Sequence, residues 1–123
     1  MLQLTNAAMV LVLTVLSGLL DARGFVYAAR AWPGGHLDVK WGLSAVLAFV
    51  GGLSCYVVAV RFMQGFGVQS VALQSAVWFA VTAAGVALMD GSVLHWSRPQ
   101  QLVALAIGIG LCWLIATTSA AAA

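Results

Sequence analysis

Glutamate is missing from the chain, and charge of either sign is scarce. The acids are Asp21, Asp38 and Asp90, the bases are Lys40 and four arginines, and charged residues make up 7% of the 123. A soluble domain carries about a quarter. With 63% of the residues hydrophobic, no core that a chain of this length can build hides so much apolar surface, so the solvent must be lipid. The formal net charge is +2, with no basic cluster, which excludes nucleic acid as a partner. Cysteine is equally sparse. Cys55 and Cys112 each fall inside an apolar run, where a thiol is a small packing residue and not half of a disulfide or metal pair. His36 and His95 stand alone in loops and read as solvated. Metal-ligand spacing, a phosphate loop and a nucleophile elbow are all lacking, so neither enzyme activity nor a cofactor is expected.

What the sequence does have is four long apolar windows. A spanning helix needs about 20 largely apolar residues. The four windows cover about 5–29, 41–61, 68–89 and 99–117, the last opening on Pro99, a favoured first-turn residue. Between them lie "AWPGGHLDVK", "RFMQGFG" and "DGSVLHWSR", all with turn chemistry. The fold class expected is therefore all-α: one domain over 1–123, an integral membrane bundle of four transmembrane helices with short loops and antiparallel neighbours. The N-terminal run has no basic segment before it and reads as a retained helix, not a removed signal peptide. The closing "TTSAAAA" is of low complexity. Arg30, Lys40 and Arg98 lie in the first and third loops, with Arg23 close by, whereas the opposite side has Arg61 alone. The excess places loops 30–40 and 90–98 in the cytoplasm and both termini outside, in a bacterial inner membrane. Trp32, Trp41 and Trp96 form an aromatic belt on the same side.

Asp21 is the residue that needs a reason. At three- and four-residue spacing its helix face carries Thr14, Ser17, Gly18, Gly24 and Ala28, small or hydroxylated throughout, and small faces are where membrane helices meet. Arg23 points the other way, toward Leu19 and Tyr27, with a stem long enough to reach the boundary near Arg30. Two readings stand. Asp21 faces the bundle interior, or the first helix stops near Leu20 and Asp21 belongs to an interfacial segment. The first is favoured, because 5–20 is short for a span. An acid inside the membrane is costly and marks a functional site by default, one able to exchange a proton for a cationic substrate.

A second feature lies on the third helix. Ser70, Gln74, Ser75, Trp78 and Thr82 form a polar-aromatic stripe that either lines a binding cavity or serves as interhelical glue and packing. In the fourth helix "AIGIG" puts Ala106 and Gly110 on one face, a small-residue contact patch. Trp113 reads as packing or lipid contact.

Together these residues resemble the small multidrug resistance family, four-helix members of the drug/metabolite transporter superfamily. In "DARG", Asp21 and Gly24 fall where that family has its membrane glutamate and a glycine three residues on. "SCYVVAVRFMQGFGVQSVALQS" runs along its second and third helices, and "PQQLVALAIGIG" along its last, from Pro99 to the dimer-packing glycine at Gly110. The departures are aspartate for glutamate, and Val71 and Gln74 where the family has a tyrosine and a tryptophan at its drug site. The resemblance implies a proton-coupled transporter of small, cationic molecules or lipid-linked carriers, working as a dimer with its acids on a shared cavity. On the transporter reading Asp21 binds proton or cation, Gln74, Ser75 and Trp78 of the third-helix stripe line the substrate site, and Gly24, Gly108 and Gly110 pack helices. The charge bias argues for one orientation and hence for a parallel homo- or hetero-oligomer. The alternative is a non-catalytic transmembrane subunit or assembly scaffold in a larger membrane complex, with membrane lipid as its surroundings in either case.

Overall fold

The computed structural model describes residues 1–65 and 67–122, with the side chains of Ile115 and 118–122 left aside. Four helices account for most of it: α1 (Leu2–Arg30), α2 (Val39–Gly65), α3 (Val71–Asp90) and α4 (Arg98–Ala122). All four lie where the apolar windows predict them, with ends shifted by a few residues because caps, not hydropathy, decide where a helix stops. The first and third loops each contain a short 3-10 turn, Pro33–Gly35 and Ser92–His95, which the apolar pattern does not reveal. α1, α2 and α3 are each long and apolar enough to cross a membrane.

Local chemistry sets the boundaries. Asp38 caps α2, its Oδ1 accepting from the backbone N–H of Lys40 at 3.0 Å and Trp41 at 3.4 Å. At the far end of α2, Val68 N–H donates to the carbonyl of Met63 and Gly67 N–H to that of Gln64, a Schellman closure with Gly67 at φ +94°. Ser70 caps α3 by accepting from Leu73 N–H at 3.3 Å. Gly91, at φ +69°, ends α3 by donating to the carbonyl of Ala87. The Gly91→Ala variant forces a Cβ into this left-handed backbone. It is expected to lose about 1–2 kcal/mol, read as a lower midpoint in a reversible detergent-unfolding titration.

The interior is made of small residues. Ser17, Asp21, Ala22 and Ala59 are fully buried, while Leu11, Leu43, Leu47 and Val57 lie outside. This inversion of a soluble core is what a lipid solvent permits, since helix association then depends on close backbone approach and interhelical hydrogen bonds. These helices suggest an integral membrane protein. α1 is the central element, antiparallel to α2 and parallel to α3. Leu20 meets Gly51 and Gly24 meets Phe49 on one side; Gly18 meets Val81 and Thr82, and Ala22 meets Gly85, on the other. A Cβ on Gly24 would sit 2.8 Å from the Phe49 ring, and one on Gly85 would sit 2.9 Å from Ala22 Cβ. α2 and α3 scarcely touch, and α4 packs appreciably only against α3. The expected bundle of four is thus a three-helix unit with α4 at its side, because nothing on α4 within the described residues engages α1 or α2 as Gly24 and Gly85 do.

Candidate functional site around Asp21

Asp21 lies where the three packed helices come together. Its neighbours one and two turns back, Ser17 and Thr14, share its buried face. The turn of α2 opposite contains Gly52. The Ser17 hydroxyl donates to the Gly52 carbonyl at 2.7 Å, and this bond draws α1 and α2 together just beside the carboxyl. Gly52 has no side chain to compete for the space, and the Asp21 carboxyl fills the position that a Cβ there would take. From α3, Trp78 Nε1 donates to Asp21 Oδ2 at 2.8 Å. The second carboxyl oxygen, Oδ1, is buried with no partner, as are the hydroxyls of Thr14 and Thr82.

The Trp78 ring is itself held in place. Tyr56 of α2 packs on it with centroids 5.9 Å apart, and Phe79 edge-on at 4.7 Å. The acid therefore accepts from a donor fixed by two aromatic contacts. Among the described residues no arginine pairs with it. Arg23 is exposed and donates to Tyr27 Oη at 3.2 Å, while Arg30 lies over the Trp41 ring, 5.2 Å from its centroid. The polar groups that face the carboxyl are the Trp78 N–H, which it accepts, and the Ser17 hydroxyl beside it, which is given to the Gly52 carbonyl.

The other residues singled out from the sequence go to different places. Gln74 is buried, but its amide Nε2 donates to the carbonyl of Val68 at 2.8 Å, closing the α2–α3 turn. Ser75 is half-buried on α3. Gly24 takes the Phe49 ring of α2 against its backbone. Gly108 and Gly110 are exposed, with nothing within 4 Å of the position of a Cβ. Cys55 and Cys112 are free thiols, His36 and His95 are exposed, and no metal-ligating cluster occurs among the described residues. Two partners of the acid are hard to foresee from sequence. Gly52 has a signal in the Gly51-Gly52 pair at the middle of an apolar helix. The Ser17 bond has none, because it goes to a backbone carbonyl 35 residues away.

Trp78→Phe keeps a ring for Tyr56 and Phe79 but removes the N–H, leaving both oxygens of Asp21 without a partner. The cost expected is about 1–3 kcal/mol, measured by the same unfolding titration. No change in that midpoint would mean the indole bond contributes nothing to the packed state.

Set against family models, curated proteins and solved structures, the chain has no match. The resemblance to small multidrug resistance proteins therefore rests on the quoted motifs alone.

Proposed function

We propose that this chain is a proton-coupled membrane transporter of small molecules, cationic ones or lipid-linked carriers among them, and that it works as a dimer with Asp21 as the proton- and cation-binding group. The supporting observation is the enclosed Asp21 carboxyl, with one oxygen on Trp78 and the other unpartnered between helices that are held by close contact and few polar bonds. α4, at 25 residues, is about 37 Å long and serves as a fourth span, its exposed Gly108 and Gly110 available to a second copy. Loops 30–40 and 90–98 then face the cytoplasm of a bacterial inner membrane. Transport requires a second arrangement in which α2 or Trp78 withdraws from Asp21, so that proton and cargo use the same carboxyl in turn.

The test is a pair of measurements on proteoliposomes loaded with a pH-sensitive dye. Adding a cationic cargo outside should release protons in proportion to the cargo taken up, and an imposed proton gradient should drive accumulation. Uptake indifferent to the gradient would end the proposal.

A second reading, a non-catalytic subunit or scaffold, is favoured by one observation. Two apolar hollows, one against α3 and one against α4, are lined by other residues and not by Asp21, whose side chain is fully buried. On that reading the chain co-purifies in mild detergent with a larger partner, whereas the transporter reading gives a self-dimer.

A further inference from the structure

We infer that the cluster of cations and aromatic rings where the end of α1 meets the start of α2 is a binding site for the headgroup of one anionic phospholipid. The inference depends on the helices lying in a bilayer and not on transport. Trp41, half-buried on the first turn of α2, has two cations at its ring. Arg30 Cζ lies 5.2 Å from the ring centroid and Lys40 Nζ 5.5 Å, both within reach of a cation–π attraction. Tyr27 of α1 packs beside the same ring with centroids 5.5 Å apart, and its Oη accepts from Arg23 Nη1 at 3.2 Å. Arg23 starts seven residues before Arg30, about 10 Å further into the span, and its stem carries the guanidinium back toward the helix end. Two rings thus gather three exposed cations from two helices.

The charge of this cluster is not balanced within the chain. Asp38 is the one acid of the loop, and its Oδ1 accepts from the backbone N–H groups of Lys40 and Trp41. Asp21 is enclosed with Trp78, and Asp90 ends α3, which packs on a different face of α1. One carboxylate therefore stands against three cations. Like charges gathered in this way favour an anion that takes N–H groups from several of them, and a phosphate has the oxygens to do so. The rings also settle in advance side chains whose freedom would otherwise be lost on binding. Below the cluster the surface suits an acyl chain. Lys40, Leu43, Leu47 and Val50 follow one face of α2 at three- and four-residue spacing, and all four are exposed. This track is about 15 Å long, the depth of one leaflet of a hydrocarbon core about 30 Å thick. A free phosphate would use the cations and leave the track empty, so the site is assigned to a lipid.

The experiment is native mass spectrometry of the purified chain in mild detergent, with phosphatidylglycerol and phosphatidylcholine of the same acyl chains offered in equal amounts. One retained phosphatidylglycerol per chain is expected, preferred at least about tenfold, and Arg30→Gln or Lys40→Gln should each cut that preference about fivefold. Arg61→Gln and Arg98→Gln remove the same charge outside the cluster and should leave the preference unchanged. Trp41→Leu keeps every charge but removes the ring, and should weaken the preference about threefold. Circular dichroism on each variant checks that helicity is kept. Should Trp41→Leu lose helicity, the contrast of Arg30 and Lys40 with Arg61 and Arg98 still decides the matter. Soluble glycerol phosphate at the same concentration should give no adduct. Equal retention of the two lipids, an equal effect at all four basic positions, or glycerol phosphate bound as firmly as the lipid would each overturn the inference. So would Leu43→Cys chains that cross-link to each other, placing a second copy on this face instead.

Discussion

Asp21→Asn is expected to abolish proton-coupled uptake, a fall to background of at least about 100-fold, while the protein still inserts and folds. The side-chain shape is retained, and the Asn carbonyl can accept from Trp78 Nε1 at the place Oδ2 holds, 2.8 Å away. The amide then takes the position of Oδ1 against Gly52. The indole bond is kept, but N–H groups are added where Oδ1 has no partner, so stability should fall by about 1–3 kcal/mol, whereas the capacity to bind and release a proton is gone. The two readouts separate chemistry from folding: uptake in proteoliposomes for the first, detergent-unfolding midpoint for the second. Full gradient-driven uptake by the Asn variant would remove Asp21 from the mechanism. An unchanged association with a large partner complex, with no uptake by either form, would leave the scaffold reading in its place.

The second large effect is expected at Gly52. A Cβ on this residue would stand 2.6 Å from Asp21 Cγ and 2.9 Å from Oδ2, so Gly52→Ala must push the carboxyl aside or part α1 from α2. Overpacking of this kind costs about 1–3 kcal/mol and at times more, and here it also strains the Ser17 bond to the Gly52 carbonyl. The decisive comparison is a double-mutant cycle. Asp21→Ala removes the atoms that the new methyl group meets, so adding Gly52→Ala to it should cost far less than Gly52→Ala in the parent chain. The coupling between the two sites should be about 1 kcal/mol or more. Strictly additive effects would show that the two residues do not share the space.

Much of this site is legible in the sequence, and particular residues show why the rest is not. Spacing of three and four residues identifies Thr14, Ser17, Gly18, Gly24 and Ala28 as one small face with Asp21, and that face is buried except at Ala28, which is half-buried. Periodicity reports which side of a helix is small, but not which helix it meets. Gly52 and Trp78 therefore cannot be assigned to Asp21 before the fold is known. Gln74 and Trp78 look alike on the α3 stripe, yet one closes a turn through Val68 and the other crosses to α1. The difference lies in the loop that brings Val68 back over the start of α3. The position of α4 is hidden for another reason: its hydropathy suits a span, but nothing in that pattern distinguishes a helix packed in a bundle from one lying beside it. Asp38 is a loop acid until the backbone of Lys40 and Trp41 is seen to point at it.

α2 and α3 are joined mainly through α1, and this gives the order of synthesis a meaning. If the helices span a bilayer, as proposed, α1 is made before α2 and α3 and enters it carrying a carboxyl with no shield. The glycine notch of α2 arrives some thirty residues later, and the indole of α3 later still. Until both are in place the acid sits against lipid or whatever escort the insertion machinery offers. A pause in translation after α1 should therefore leave a nascent chain that is marked for degradation, whereas one after α3 should not.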